Sequence, residues 1–443
     1  MKRAPYVIVG AGLAGARAAE ALRAEGFDGR IVLVGEEAEY PYVRPPLSKD
    51  YLAGTSARDS IDVHPADWYV GKDIEVLPGR VVTALTLDVR RLTFADGGAL
   101  RYERLLLATG AAARAFPGPG GNLSGVHLLR TVGDSTGLKA ALAPGGQRVV
   151  VVGAGWIGLE VAAAARGYGN DVTVLGRGAV PLQGAVGSEI GAVFAELHRA
   201  NGVDLRMETG VAEILGVDGR VTGVRLEVPA DSSSNTAGGA GEVVSADVVV
   251  IGIGATPNTR LALDAGLTVA DGIVVDAAFR TNEPGVFAVG DAASVFHPVL
   301  GHHIRVEHWA NAENAGRAAA LSMLDRAVSY EEIPYFYTDQ FDLGMEYSGY
   351  GDWAKDAELV FRGDRATREF LAFWVAGGRV VAGMNVNVWD VNPTIQSLIR
   401  SRVRVEVSAL RDETRSLDGL LGSFAAGAHG AEARPAAAPG SGS

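Results

Sequence analysis

The stretch YVIVGAGLAG, residues 6–15, decides how the rest of this 443-residue sequence is interpreted. Its first four residues form an apolar run that is typical of a strand buried on both faces. Gly10, Gly12 and Gly15 then give the spacing G-x-G-x-x-G, and an alanine-rich segment with the composition of a helix follows. In such a strand–turn–helix unit the glycines make the tight turn, admit a pyrophosphate and allow close packing. The stretch therefore predicts a dinucleotide site.

A second strand and an acidic residue follow this turn. Residues 31–34, IVLV, have the pattern of a buried strand, and Glu36 lies just beyond them. An acid about 20 residues after the glycines accepts hydrogen bonds from a ribose diol in folds of this kind. Glu36 is therefore predicted to bind the ribose of the nucleotide.

The whole pattern recurs at residues 147–160, QRVVVVGAGWIGLE. Gly153, Gly155 and Gly158 repeat the glycine spacing, a helix-like segment follows, and residues 172–175 form the next strand. Two matches in the same context are far more specific than one. The chain is therefore expected to bind two dinucleotides, or one dinucleotide twice over after a gene duplication.

Composition narrows the class of protein. The length fits about three domains, and 48% apolar residues with 59 glycines fit a globular α/β protein. A net charge of −12 argues against nucleic acid as a partner. We expect no membrane-spanning segment and no targeting peptide, and hence a cytoplasmic protein.

The sequence contains no cysteine. The absence of cysteine excludes thiol catalysis, disulfide exchange and iron–sulfur ligation by side chains of this sequence. The eight histidines lack the spacing and the carboxylate that metal sites favour, so no metal site is expected.

Four other positions have a structural and a functional interpretation. Arg44 and Lys49 lie in a proline-containing segment and could serve solubility or contact a cofactor. Asp291 follows an apolar strand and could cap a helix or bind the polyol chain of a cofactor. Trp309 lies at the N-terminal end of an alanine-rich helix predicted over residues 307–324 and could pack in the core or touch a cofactor. The local sequence leaves these alternatives open.

The last part of the chain has a different composition. Alternating aromatic and apolar segments beyond about residue 328 predict an antiparallel sheet and then a helix near residues 390–400, which together form a third domain. The Ser/Gly-rich stretch 231–241 is expected to be an exposed loop, and the tail 425–443 is expected to be disordered. Earlier in the chain, a short helix is expected within residues 47–52, and the amphipathic pattern of residues 187–202 predicts a longer one.

Seven motifs, taken together and in order, resemble those of a known family. They are GAGLAG (10–15), RPPLSK (44–49), LLLATG (105–110), GAGWIGLE (153–160), GIGATPNT (252–259), FAVGD (287–291) and VEHWANAENAG (306–316). The set resembles the FAD-dependent NAD(P)H:ferredoxin reductases of the putidaredoxin reductase and biphenyl dioxygenase reductase family, which serve cytochrome P450 and Rieske oxygenase systems.

The resemblance implies an α/β fold with two Rossmann-like dinucleotide-binding domains, arranged as in glutathione reductase, and a C-terminal α+β domain. The FAD-binding domain would be discontinuous, formed by residues 1–115 and 246–325. The NAD(P)H-binding domain would occupy residues 116–245, and the C-terminal domain residues 326–415.

The resemblance also implies a set of site residues. The expected FAD contacts are Gly10, Gly12, Ala14, Gly15, Glu36, Arg44, Lys49, Val82, Thr109, Arg130, Asp291 and Trp309. The expected NAD(P)H contacts are Gly153, Gly155, Ile157, Gly158, Glu160, Arg177 and Glu307, and further cofactor contacts are expected at Ala108, Gly110 and Gly254. Lys49 and Glu160 are the catalytic candidates that would tune the flavin, because a buried lysine needs a carboxylate partner to stay charged.

The implied reaction passes electrons from NADH or NADPH through FAD to a [2Fe–2S] ferredoxin. A flavin can connect a two-electron hydride donor with a one-electron acceptor. Alternative acceptors are rubredoxin, a quinone or oxygen, and an alternative role is that of a redox sensor like the apoptosis-inducing factors. The protein is expected to be a monomer or a homodimer, with neither nucleic acid nor a membrane as a partner.

Two expectations concern specificity. A local basic patch is expected to dock an acidic ferredoxin despite the negative net charge. The arginines concerned are Arg305 and Arg317, which flank Trp309, and a second cluster of Arg400, Arg402 and Arg404. The alternative for each of them is a solvated surface position with an ion pair inside the protein. Arg177 follows the strand at 172–175, where the family usually carries an acid, and is expected to make NADPH better tolerated than in NADH-using relatives by binding its 2′-phosphate. The alternative is that Arg177 is exposed and only stacks on the adenine, with NADH still used.

Overall fold

The computed structural model describes residues 4–228 and 241–420. Nearly all of the predicted loop 231–241 and the whole of the predicted tail 425–443 lie outside the described residues. The chain divides into two compact units, of which the first ends at Glu332 and the second begins at Ile333. Both glycine turns belong to the first unit.

The first unit alternates short strands with helices. Its strands are β1 (Tyr6–Val9), β2 (Ile31–Val34), β3 (Ile74–Leu77), β4 (Val82–Thr86), β5 (Arg91–Phe94), β6 (Ala99–Arg101), β7 (Arg104–Leu107), β8 (Ala111–Ala113), β9 (Val126–His127), β10 (Arg148–Val152), β11 (Asp171–Leu175), β12 (Asp204–Arg206), β13 (Val211–Val217), β14 (Arg220–Leu226), β15 (Val243–Ser245), β16 (Val248–Ile251), β17 (Ala255–Pro257), β18 (Val269–Ala270), β19 (Gly272–Val275), β20 (Val286–Ala288), β21 (Ala293–His297) and β22 (His302–Ile304). Its helices are α1 (Leu13–Ala24), α2 (Asp50–Ala53), α3 (Ala66–Gly71), α4 (Val132–Leu142), α5 (Trp156–Gly167), α6 (Gln183–Ala200), α7 (Arg260–Asp264) and α8 (Trp309–Met323).

Two parallel five-stranded sheets form the framework of the first unit. Their strand orders are β3-β2-β1-β7-β20 and β12-β11-β10-β16-β9. In each sheet the strand that leads into a glycine turn, β1 or β10, lies at the centre. This is a Rossmann-like arrangement of parallel strands, in which ligands bind beyond the carboxyl ends of the central strands.

The register of the strands brings three strand ends together in each sheet. In the first sheet Val9 lies beside Val34 and Leu107. In the second sheet Val152 occupies the same place, beside Leu175 and Ile251. Strands β1, β2 and β16 are apolar runs buried on both faces, which is what fixes them inside a parallel sheet. The same edge is therefore formed twice.

The first sheet draws on two separated parts of the chain. Its edge strand β20 pairs in parallel with β7, with Val286 opposite Leu105, while the second sheet is formed by the residues between them. Helix α8 packs against α1, and Gly316 allows this approach, because a Cβ there would lie 2.4 Å from the Ala14 carbonyl oxygen. A discontinuous domain would follow this chain path. The boundaries near residues 115 and 246 remain predictions.

Smaller sheets complete the first unit, and the second unit is an antiparallel sheet with helices. The smaller sheets are β4-β5-β6, β13-β14-β15, β17-β8 and β18-β19-β21-β22. The second unit contains β23 (Tyr335–Gln340), β24 (Leu343–Gly349), β25 (Glu358–Asp364), β26 (Glu369–Ala376) and β27 (Arg379–Val386), with helices α9 (Gly351–Ala354), α10 (Asn392–Ser401) and α11 (Val407–Arg411). Its strand order is β23-β24-β27-β26-β25. The predicted C-terminal α+β fold is confirmed.

Local details differ from the sequence predictions. The helix expected within residues 47–52 is a 3₁₀ turn, Pro45–Ser48, followed by the single turn of α2, because Lys49 has a non-helical backbone with ψ −118°. The helix expected over 187–202 begins earlier, at Gln183, and bends at Gly187, whose φ of 82° interrupts it.

Candidate functional site

The two glycine turns have the same geometry. Gly10 and Gly153 have φ values of 114° and 115°, which only glycine adopts easily. A Cβ on Gly10 would lie 2.0 Å from the Ala108 carbonyl oxygen, and one on Gly153 would lie 2.2 Å from that of Gly252. The first glycine of each motif is therefore required by the neighbouring strand end.

The second glycine of each motif faces open space. Gly12 and Gly155 are the N-cap residues of α1 and α5, and neither helix has a side chain that caps it. A Cβ on either glycine would meet no atom within 4 Å. Each 12-residue helix therefore presents uncapped N–H groups to a space that suits the pyrophosphate of a dinucleotide.

The third glycine sets the approach of each helix to its turn. A Cβ on Gly15 or Gly158 would lie 2.1 Å from the carbonyl oxygen of the first glycine. Ala14 is buried between α1 and α8, whereas Ile157 is exposed at the start of α5. Of these two expected contacts, only Ile157 offers its side chain to the outside of the fold.

A buried ion pair joins the two nucleotide folds. The Lys49 ammonium lies 2.8 Å from one carboxylate oxygen of Glu160, and the two side chains are 12% and 5% exposed. Ser48 donates a hydrogen bond of 2.5 Å to the other oxygen of Glu160. Lys49 follows the first fold's strand β2, and Glu160 lies on α5. The predicted partnership is thus formed, and Ser48 is a contact that the sequence analysis missed although it adjoins Lys49.

Charged groups from distant segments meet near the end of β7. Arg130 makes an ion pair of 2.5 Å with Asp291, and Arg44 donates to the carbonyl oxygen of Arg130. Arg44 also pairs with Glu37 at 2.8 Å. The cluster therefore brings together three expected cofactor contacts, and adds Glu37, which the sequence analysis did not single out.

The same cluster contains a polar atom that fits an oxygen-rich ligand. The buried Nε of Arg130 has no hydrogen-bond partner among the described residues. A terminal nitrogen of the same guanidinium would lie 3.7 Å from a Cβ on Gly110, whose φ is 65°. An unsatisfied buried donor is costly unless a ligand accepts from it. The unsatisfied Nε of Arg130 and the open glycine turn therefore indicate that these residues suit FAD.

The other expected cofactor contacts lie around this cluster. The Thr109 hydroxyl donates to the Asn258 carbonyl oxygen at 2.7 Å, so it links two strand ends of the fold. Gly254, with φ 106°, follows β16 at the corresponding place in the second sheet. Val82 is partly buried against the core of the first sheet. Glu36 is exposed beyond β2, as ribose binding requires.

Residues 305–309 precede and begin helix α8. Trp309 is partly exposed at the first position of the helix. Glu307 accepts from Arg305, and Arg305 also pairs with Asp271 at 2.9 Å. Loss of hydration lowers the pKa of His308 to about 4, so this imidazole is neutral at pH 7.

The expected docking cations differ in accessibility. The Arg305 side chain is only 14% exposed and contacts two carboxylates, so it does not form an exposed basic patch. Arg317 is half-exposed and pairs with Glu313 at 2.7 Å. Arg402 and Arg404, in the second unit, are exposed, as is Arg400. The expectation for Arg305 is therefore wrong, since its neighbouring acids neutralise it.

Arg177 also has an acidic neighbour. Its guanidinium lies 2.6 Å from a carboxylate oxygen of Glu227, which directly follows β14. The sequence analysis predicted a cation without this partner.

Metal-binding clusters and membrane-spanning helices are both absent from the part of the chain that the structure describes. No group of three or more His, Cys, Asp or Glu side chains in residues 4–228 and 241–420 is placed to hold a metal ion. Over the same residues, no helix is long and apolar enough to cross a membrane.

Comparison with known proteins identifies the family. Residues 4–316 match the family described as pyridine nucleotide-disulphide oxidoreductase, and residues 335–421 match a reductase C-terminal domain. The ferredoxin–NAD(+) reductase component of the anthranilate 1,2-dioxygenase system of Burkholderia cepacia is 39% identical over 422 residues, which cover 95% of this chain and all of the relative. Rhodocoxin reductase of Rhodococcus erythropolis is 39% identical over 381 residues, 86% of each chain.

A solved structure of a ferredoxin reductase is also similar to this chain. The reductase chain in the covalent putidaredoxin reductase–putidaredoxin complex is similar with a TM-score of 0.89 and 34% identity, and the match covers 96% of this chain and 100% of that one. The repeated nucleotide fold, the C-terminal unit and these relatives all indicate the same family. The chain belongs to the pyridine nucleotide-disulphide oxidoreductase family and, within it, to the ferredoxin reductases of oxygenase systems, which use FAD and NAD(P)H.

Proposed function

We propose that the chain passes electrons from NAD(P)H through FAD to a [2Fe–2S] ferredoxin that serves a cytochrome P450 or a Rieske oxygenase. The buried pair of Lys49 and Glu160 is the observation that carries this proposal. It links the segment after β2 to the helix that starts at the second glycine turn, at a place with little access for water. A hydride transfer between two nucleotides needs such a protected place.

The first nucleotide fold is proposed to bind FAD. The uncapped N-terminus of α1 would bind the pyrophosphate, Glu36 the ribose, and the Arg130–Asp291 pair the polyol chain. Bound FAD supplies a carrier that accepts two electrons as hydride and releases them singly. Lys49 would contact the flavin, with its charge and position held by Glu160, and Ser48 would orient that carboxylate.

The second nucleotide fold is proposed to bind NAD(P)H. The uncapped N-terminus of α5 would bind the pyrophosphate, and the exposed Ile157 beside it would pack on the nucleotide. Glu160 lies one turn further along the same helix. It is proposed to contact the nicotinamide directly and to act on the flavin through its ion pair with Lys49. Glu307 is proposed as a further contact at the nicotinamide end.

Ferredoxin docking is proposed to involve the arginines of the second unit. Arg400, Arg402 and Arg404 are exposed at and after the end of α10. The Arg402 guanidinium carbon lies 5.0 Å from the centre of the Trp353 ring. A basic patch with an exposed cation–aromatic pair would steer an acidic protein to this surface.

A steady-state assay tests the proposed function. Holoenzyme and NADH are mixed with each of a panel of [2Fe–2S] ferredoxins, and cytochrome c reduction is followed. We expect fast reduction only when a ferredoxin is added. Equal rates with rubredoxin, a quinone or oxygen alone would replace the proposed acceptor. Slow turnover with a long-lived complex of reduced flavin and nicotinamide would indicate a redox sensor instead.

We further propose that the protein works in the cytoplasm, where its nucleotide electron donor is present, as a monomer or a homodimer. Cell fractionation and sedimentation equilibrium test these two points.

A further inference from the structure

The two sheets show which residue of the second fold corresponds to Glu36 of the first. Gly35 follows β2, and a Cβ on it would lie 2.8 Å from the Ala11 Cβ; Gly176 follows β11, and a Cβ on it would lie 2.8 Å from the Ala154 Cβ. Each glycine N–H also donates at 3.0 Å to a carbonyl of the neighbouring edge strand. The residue after each glycine is therefore structurally equivalent, and Arg177 stands where the first fold has Glu36.

An acid from another part of the sequence is nevertheless present at this position. Glu227 lies directly after β14, and one of its carboxylate oxygens is 2.6 Å from the Arg177 guanidinium. The side chains are 78% and 46% exposed, so both reach the surface on which the nucleotide ribose would lie. The second fold thus replaces one strand-end carboxylate by a cation and a carboxylate in contact.

The chain provides space for this carboxylate. A Cβ on Gly210 would lie 2.0 Å from the second oxygen of Glu227, so the missing side chain leaves room for the acid. The Glu227 N–H donates to the Gly210 carbonyl at 2.9 Å. The same loop is tied to the strand end, because the Thr209 N–H donates to the Gly176 carbonyl at 2.8 Å. Backbone contacts therefore hold Glu227 beside Arg177.

We propose that Glu227 is a specificity-determining residue. Its carboxylate restrains the Arg177 side chain and thereby keeps kcat/KM for NADH above kcat/KM for NADPH. This inference rests on the proposed NAD(P)H site of the second fold. With NADH, the carboxylate can accept from the ribose 2′-hydroxyl while it keeps its pair with Arg177. With NADPH, the 2′-phosphate competes with Glu227 for one guanidinium and is repelled by the carboxylate. Arg177 without Glu227 would favour binding of the 2′-phosphate. The Arg177–Glu227 pair has no net charge, so it repels the 2′-phosphate less than a single carboxylate at this position would.

The kinetic test compares Glu227→Gln with the parent holoenzyme, using ferricyanide as the acceptor. We expect kcat/KM for NADPH to rise about tenfold and kcat/KM for NADH to fall about threefold, because an amide oxygen is a weaker acceptor for the ribose 2′-hydroxyl than a carboxylate. Arg177→Ala should lower NADPH use, and the double variant should lose the gain, because the gain requires the released arginine. Glu213→Gln is the matched control, since Glu213 lies on the same hairpin and pairs with Arg225 instead.

A binding test needs no electron transfer. Adenosine 2′,5′-bisphosphate and 5′-AMP are titrated calorimetrically into the same holoenzymes. We expect Glu227→Gln to strengthen binding of the bisphosphate about tenfold relative to that of 5′-AMP. An equal change for both ligands, or none, would overturn the role of Glu227. Failure of the parent protein to bind either ligand would instead refute the proposed nucleotide site.

Discussion

Replacing Gly12 by alanine is the sharpest test of which turn binds which cofactor. Gly12 has φ −83° and ψ −171°, a conformation that alanine adopts readily, and a Cβ there meets no protein atom within 4 Å. We therefore expect the apoprotein to lose less than about 1 kcal/mol of unfolding free energy, the cost of alanine at a helix N-cap. The added methyl group would occupy the space from which the pyrophosphate approaches.

The expected effect on FAD is much larger. A hydrogen bond to a charged group contributes about 1.5–3 kcal/mol. If the methyl group displaces the pyrophosphate from one N–H of α1, binding weakens by about 1.5–3 kcal/mol, or roughly ten- to a hundredfold in Kd. The measurement is titration of apoprotein with FAD, followed by quenching of flavin fluorescence.

Gly155→Ala is the matched control in the second fold. Gly155 has nearly the same backbone, with φ −87° and ψ −177°, and equally open surroundings. We expect this variant to keep its FAD affinity and to bind NADH about ten- to a hundredfold more weakly. Normal FAD affinity in Gly12→Ala, or FAD loss in Gly155→Ala, would refute the assignment of the two turns.

Three further predictions follow from buried or exposed charges. Glu160→Gln removes the carboxylate that pairs with the buried Lys49 ammonium, and should lower the unfolding free energy of the holoenzyme by about 3 kcal/mol in urea; an unchanged midpoint would show that this ion pair does not stabilise the fold. The pKa of His308 is lowered to about 4, below its unfolded value of about 6.5, so its contribution to stability is complete above pH 6.5 and declines as the pH falls toward 4. His308→Gln should therefore flatten the dependence of Tm on pH in that window, and an unaltered slope would contradict this. Replacing Arg400, Arg402 and Arg404 by glutamine should raise the KM for ferredoxin about tenfold and weaken its salt dependence, with ferricyanide reduction unchanged; an unchanged KM would place docking elsewhere.

The features that the sequence predicted correctly are those with a local physical cause. Each glycine turn is specified within a few residues, because the strand, the turn and the helix are consecutive. Lys49 and Glu160 are far apart in sequence, and their pairing was predicted only through the resemblance and the need of a buried cation for a partner.

The features that the sequence missed depend on where distant segments end. Glu227 is 50 residues from Arg177 in the sequence. It lies beside Arg177 only because strand β14 ends at the residue before it. Arg305 looked like a surface cation because its charge is visible in the sequence, whereas its contact with Asp271 is not. The bend in α6 arises from the positive φ of Gly187, which the amphipathic pattern does not reveal.

The late pairing of β20 with β7 has a consequence for synthesis on the ribosome. The second sheet is contiguous enough to form as soon as β16 has emerged, whereas the first sheet lacks its edge strand until residues 286–288 arrive. At about 5–20 residues per second, the nascent chain carries β7 with an open edge for tens of seconds at the slow end of this range. An unpaired apolar edge is a site for wrong pairing. We therefore expect slow translation between β16 and β20 to increase the nascent chain's dependence on chaperones.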